Sequence, residues 1–234
     1  MNVDAQSVNG FAALPGRDGR LATIRTAAKS ALYLLFLVPA LWHLLRYRLA
    51  CALMGQDRAF LGATERLARS AGYWGVYVRG VTYRLLLRSC AREVHIGYGT
   101  VFSRPAAALG EHVYVGRYCS LGWVELGRDV MLADFVTIPS GRHTHRVAGE
   151  TRTPPRLAEN RYEPVRVGEG TWVGSHATIL ADVGRYCVIG AGAVVTKPIP
   201  DFSVAVGTPA RVVASTADRA GEPAASQRRG RETP

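Results

Sequence analysis

From Leu109 to Val195 an aliphatic residue recurs at every sixth position, and nothing else in the chain restricts its fold as tightly. The series runs Leu109, Val115 and Leu121, then Leu126, Leu132 and Ile138 after a unit one residue short. After an interruption it resumes as Val167, Val173 and Ile179, and after a truncated unit as Val183, Ile189 and Val195. A glycine usually follows the aliphatic residue. Four positions beyond it stands a small or β-branched residue: Val113, Cys119, Val130, Val136, Ala177, Cys187 and Ala193. The pentapeptide VGRYC appears twice in this register, at 115–119 and 183–187.

A period of six is neither the 3.6 of a helix nor the 2.0 of a plain strand. It matches a unit of one short strand and one turn, three of which close a triangular coil, so the chain is predicted to be mainly β, a parallel β-helix. The aliphatic residue and the small residue four places on point inward, and the glycine between them suits the turn. On this reading both copies of VGRYC occupy one face of the stacked coil, with Val and Cys inward and Arg and Tyr outward.

The flanks differ in texture. Residues 1–29 read as a polar leader, and 215–234 as a small, charged, disordered tail. Residues 31–45 are strongly apolar but contain Pro39; Arg46-Tyr47-Arg48 and a second apolar piece at 49–54 follow. A spanning helix needs about 20 apolar residues. The segment is therefore expected to form a re-entrant or interfacial helix pair at the cytoplasmic face of a membrane, with snorkelling arginines. Packing against the main domain is the alternative. Residues 68–89 read as an amphipathic helix, so 30–92 form a helical extension ahead of a β-helix over 93–214 with an excursion at 146–166. The apolar stretch starts too late for a cleavable secretory signal, which points to the cytoplasm.

The net charge of +11 suits an anionic partner. The arginines are scattered among apolar residues, and no RNP, helix-turn-helix or zinc-finger pattern occurs, which argues against nucleic acid. None of Cys51, Cys90, Cys119 and Cys187 forms a CxxC pair, and the two that recur in VGRYC read as small buried hydrophobes.

Two stretches carry a resemblance: VGEGTWVGSHATIL at 167–180 and VIGAGAVVTKPIPDFSVAVGTPARVV at 188–213. Through them the chain from about Ile96 to Val213 resembles the left-handed β-helix acyltransferases of the hexapeptide-repeat superfamily. The likeness is to galactoside, maltose and xenobiotic acetyltransferases and to polysaccharide O-acetyltransferases. It implies a homotrimer, acetyl-CoA lying between neighbouring helices, no metal, and direct transfer to a saccharide hydroxyl with a histidine as general base. Imidazole suits that task because its pKa lies close to neutrality.

The same resemblance assigns residues. IPSGRHTHR lies where relatives place the base. Those with a longer N-terminal extension read Ser-Gly-x-x-x-His, which selects His145; those of the shorter Gly-x-His type select His143. We take His145 as the base and His143 as its neighbour or alternate. Asp134, Glu150, Glu159 and Glu163 are the candidate orienting carboxylates. Ser175 and Ala191 match positions along the pantetheine arm, Thr196 and Lys197 positions near the nucleotide, and Arg211 a residue meeting the phosphates. Trp172 is a candidate groove cover and His176 an exposed turn residue. Two other readings compete: a zinc hydratase built from His112, His143, His145 and His176, and a membrane-tethered scaffold without catalysis. The residues leave O- against N-acylation open.

Overall fold

The computed structural model describes residues 19–140 and 162–217. Three helices come first, α1 (Gly19–Met54), α2 (Gln56–Ala68) and α3 (Gly72–Leu86). A parallel β-solenoid of about five turns follows. Its first coil is β1 (Ser89–Cys90), β2 (His95–Ile96) and β3 (Val101–Phe102). The second is β4 (Ala108–Leu109), β5 (Tyr114–Val115) and β6 (Ser120–Leu121). The third is β7 (Val124–Leu126), β8 (Met131–Leu132) and β9 (Thr137–Ile138). The fourth is β10 (Val165–Val167), β11 (Trp172–Val173) and β12 (Thr178–Ile179). The fifth opens with a bridge at Val183 and continues as β13 (Val188–Ile189) and β14 (Val194–Val195). A partial sixth holds β15 (Ser203–Val206), on which β16 (Arg211–Ser215) folds back antiparallel.

The strands stack into three faces. The first is β1-β4-β7-β10, the second β2-β5-β8-β11-β13-β15-β16, and the third β3-β6-β9-β12-β14. All twelve aliphatics of the six-residue series are at most 4% exposed, and so are the seven small residues four places on. The breaks in the period share one location. The short unit from Leu121 to Leu126, the truncated ones from Ile179 to Val183 and from Val195 to Ile199, and the long excursion all turn the corner from the third face to the first. The other two corners keep strict spacing and recurrent left-handed residues, such as Tyr118, Phe135 and His176 on one and Asp129, Tyr186 and Phe202 on the other.

The copies of VGRYC are buried and exposed as expected but do not share a face. Val115 lies on β5 of the second face, whereas Val183 bridges Val167 and Ile199 on the first. What they share is the kind of corner that follows, closed by a left-handed tyrosine. A Cβ on Gly116 would sit 2.6 Å from the Ala133 carbonyl carbon of the next coil, and one on Gly184 2.5 Å from Asp201 N. Only glycine permits coils to stack so closely there.

The helical extension departs from expectation in continuity. α1 runs from Gly19, inside the expected polar leader, through Pro39 and the Arg-Tyr-Arg triplet as one helix rather than a pair. Proline removes the bond to the carbonyl four residues back, but packing on both sides holds the halves in line: Phe36 lies 4.7 Å from the Trp74 ring and 5.0 Å from that of Tyr77, and Ala40 is fully buried. Tyr47 continues the same inward stripe and meets Phe60 edge-on, while Arg46 and Arg48 flank it outward. The expected helix over 68–89 is split at the turn between α2 and α3, and the chain leaves α3 extended at Leu87 so that β1 already pairs with β4. At the excursion's far end the coil has resumed by Val165, within the predicted loop.

Candidate active site

Most of the cofactor-side residues singled out above gather along the corner between the second and third faces. Ser175 and Ala191 occupy the same corner in consecutive coils, where Gly192 N donates to the Ser175 carbonyl at 2.8 Å. A Cβ on Gly174 would lie 2.6 Å from Ala191 N, so this edge presents backbone and small side chains at close range. In the partial coil Thr208 Oγ1 donates to the Gly192 carbonyl at 3.2 Å, and Ala210 N to that of Val194 at 2.8 Å. These bonds bring Arg211 onto the same side. Thr196 and Lys197 follow directly from β14, at the strand's other end. Lys197 and Arg211 are exposed, and neither pairs with a carboxylate among the described residues. A strip of small residues flanked by two uncommitted cations suits an extended ligand with an anionic end.

The upper coils of the third face hold a cavity of about 420 Å³. Its floor is the hydroxyl side of the solenoid: Ser103 beyond β3, Ser120 on β6, Thr137 on β9, then Ser140. Its wall is the first two turns of α2, with Asp57, Arg58 and Leu61, and Tyr162 closes another side. Arg104 lies over the Tyr162 ring at 3.7 Å from its centre and reaches Asp57 at 3.2 Å. The excursion opens here. Glu163 N donates to the Ser140 carbonyl at 3.3 Å, so its two ends are pinned together on the cavity's edge. Sequence reasoning did not find this cavity, because its wall comes from a helix whose docking on face three no local pattern signals.

The two base candidates, His143 and His145, lie outside the described residues, three and five positions beyond Ser140. Glu150 and Glu159 lie outside them as well. Asp134 is described and is committed elsewhere: its carboxylate takes Arg117 N at 2.7 Å and Nη2 at 2.7 Å. Burial pushes its pKa up, but the Arg117 bonds prevail and hold it below the usual carboxylate range. Trp172 sits on the second face between Met131 and Val188, one strand position before the corner that carries Ser175. His176 is exposed at a left-handed corner and stacks on Phe135 at 4.7 Å.

The zinc reading finds no support in the described histidines. His112 and His176 stand on different corners, and His112 is paired with Asp129 at 3.0 Å. Among the described residues no three His, Cys, Asp or Glu side chains converge as a metal site would require. Two of the thiols are equally quiet: burial pushes Cys90 up to about 12 and Cys119 up to about 11, far from a reactive thiolate at neutral pH.

Residues 164–197 match the bacterial transferase hexapeptide pattern of six repeats. The chain is similar to a "probable acetyltransferase" of Mycobacterium tuberculosis, 31% identical over 201 residues that cover 82% of this chain and 62% of that one. It is also similar to galactoside O-acetyltransferase of Escherichia coli, 35% identical over 47% of this chain and 57% of that one. The chain thus spans about three fifths of the length of these two relatives. Among solved structures, a maltose O-acetyltransferase from Clostridium difficile 630 superposes with a TM-score of 0.61 at 28% identity, covering 70% of this chain and 88% of that one.

Proposed function

The chain belongs to the hexapeptide-repeat acetyltransferase family, and from that premise we propose that it moves an acyl group, acetyl first of all, from coenzyme A to a saccharide hydroxyl. One observation carries the reading. The third face and the corner it shares with the second hold both halves of a two-substrate site: the hydroxyl-lined cavity on the upper coils, and in the lower coils the small-residue strip along that corner with Arg211, with Lys197 beyond the far end of β14. The segment bearing His143 and His145 leaves the solenoid from the edge of that cavity.

The strip would hold the pantetheine arm along Ser175 and Ala191, with Thr196, Lys197 and Arg211 toward the nucleotide and phosphates. Acetyl-CoA supplies the activated thioester. His145, or His143 in its place, would take the proton from the acceptor hydroxyl as its oxygen attacks, and the thiol leaves with no acyl-enzyme. Likeness to galactoside and maltose O-acetyltransferases favours a sugar oxygen over an amine. We further propose three copies per assembly, bound to the cytoplasmic face of a membrane through α1.

Free-thiol release from acetyl-CoA, screened against sugars, amino sugars and glycolipids, tests the reading. His145→Ala should lower kcat about 10²–10⁴-fold, the usual loss of a general base. Lys197→Ala and Arg211→Ala should instead raise KM for acetyl-CoA, since contacts remote from the reacting atoms bind ground and transition states alike. A dead His143→Ala beside an active His145→Ala would move the base. Full activity of the double histidine variant would remove the mechanism.

A further inference from the structure

We infer that the acceptor is a saccharide carried on a lipid phosphate or diphosphate, presented to the cavity from a bilayer against which α1 lies. The inference rests on the acyl-transfer reading and narrows its acceptor.

The first support is continuity between an apolar surface and the cavity wall. Leu34, Val38, Trp42, Leu45, Leu49 and Leu53 follow one another at three- and four-residue steps, so they form one stripe along α1. They are 58–77% exposed. Leu34–Met54 is long and apolar enough to cross a membrane by length and composition, and only 17% of its most apolar window is buried in the protein. A stripe this large marks a contact surface. It ends near the cavity: its last residue, Leu53, precedes the lining residue Asp57 by four positions, a reach of at most about 14 Å even for extended chain.

The second support is charge. Arg58 lines the cavity on its α2 side and has no carboxylate partner among the described residues, whereas its neighbour Arg104 is held by Asp57. Arg46 stands exposed beside the apolar stripe. A free guanidinium between a lipid-facing helix and a hydroxyl-lined cavity suits a phosphate that joins a lipid tail to a sugar head. Anionic lipid would draw the same arginines to the surface. A second copy of this chain covering the stripe would satisfy its apolar residues but would leave Arg58 without an anion.

The test uses full-length protein with vesicles of phosphatidylcholine and phosphatidylglycerol and three acceptors bearing the same sugar: a long-chain alkyl glucosyl phosphate in the vesicles, glucose 1-phosphate, and methyl glucoside. The lipid-borne acceptor should exceed glucose 1-phosphate in kcat/KM by at least about tenfold. Leu45→Asp with Leu49→Asp should abolish that advantage and vesicle co-sedimentation while turnover of glucose 1-phosphate stays. Arg58→Ala should cost the two phosphate-bearing acceptors about tenfold more than methyl glucoside, the scale of one charged hydrogen bond. Equal turnover of lipid-borne and free phosphate, or protein that stays soluble as an oligomer without detergent or vesicles, overturns the lipid part. An equal Arg58→Ala loss on all three overturns the phosphate part. Retention on glucosyl-phosphate vesicles through Arg58, with no thiol released for any acceptor, would sink acyl transfer and leave the binding assignment standing.

Discussion

Thr100 and Thr171 explain why a five-residue segment recurs letter for letter. Thr171 Oγ1 donates to the Gly184 carbonyl at 2.8 Å and accepts from Cys187 N at 3.1 Å; Thr100 does the same for Gly116 and Cys119 at 2.8 and 3.1 Å. The arginines repeat too, with Arg185 N and Nη2 both 2.8 Å from the Asp201 carboxylate, as Arg117 is bound to Asp134. Thr171→Val should therefore lose about 1–3 kcal/mol of stability in urea melts, because two buried backbone groups lose their partner. Thr171→Ser should stay near the parent, and equal melts for all three would show the hydroxyl to be idle. The carboxylates give a pH signature. Asp201 and Asp134 are held below the usual carboxylate range, Asp201 by the Arg185 backbone and side chain. A depressed folded pKa contributes stability above the unfolded value near 4 that is lost as pH falls through the folded one. The melting temperature should drop as pH falls below about 4, and Asp201→Asn should flatten that slope. Of this corner, outward Arg and Tyr were legible in the pentapeptide. Their partners were not, because they sit one coil away and depend on stacking register.

At the scale of elements, the helical extension is attached to the solenoid through a buried cation. Arg79 of α3 is 1% exposed; its Nε donates to the Ile96 carbonyl at 2.8 Å, and Nη1 to the Ser70 carbonyl. It thus joins α3 to the first coil and to the turn after α2. Gly75 lies where a Cβ would meet both the Ser70 carbonyl and Arg79 Nη1, so the helix can approach only without a side chain there. Burial lowers the Arg79 pKa, which shows that the cation is held at some cost. Arg79→Met relieves that cost but orphans two carbonyls, and the balance should be a net loss of about 1–3 kcal/mol in denaturant melts. Arg79→Lys should fall between, since one ammonium on a different stem cannot reproduce the fork. A methionine variant as stable as the parent would make the clamp dispensable. The sequence showed the helices as apolar segments but not their continuity: Pro39 and the Arg-Tyr-Arg triplet look like breaks in one dimension. Only the inward stripe of Phe36, Ala40 and Tyr47 shows that one side stays packed. The excursion was visible as a gap in the repeat, whereas the α2 wall opposite it was not.

For the whole molecule, the outward side chains differ from face to face, and that difference bears on assembly. On the first face Glu125 accepts from Arg88 at 2.8 Å and from Arg166 at 3.1 Å, and Arg166 also reaches Asp182, a charged column suited to water. On the third, Ser120, Thr137 and Thr178 form a hydroxyl column next to the cavity and the strip. The second presents His95, Tyr114, Met131, Trp172, Val188 and Val204 in register. His95 stacks on Tyr114 at 4.6 Å, and burial together with nearby Arg79 lowers its pKa, so this column carries no charge at neutral pH. The first face carries ions and the third hydroxyls, so the second, with its aromatic and aliphatic column, is the one whose removal from water costs least. If the protein assembles as the proposed trimer, this face should be buried between copies, with Trp172, 48% exposed in the single chain, as the anchor. Trp172→Glu would force a carboxylate into that contact. In light scattering of detergent-solubilised protein it should convert a trimer to single chains, while circular dichroism and the urea midpoint of the isolated solenoid signal remain close to the parent. Trp172→Phe should keep the trimer. A Trp172→Glu protein that remains trimeric would place the contact on another face and return Trp172 to the role of an exposed strand residue.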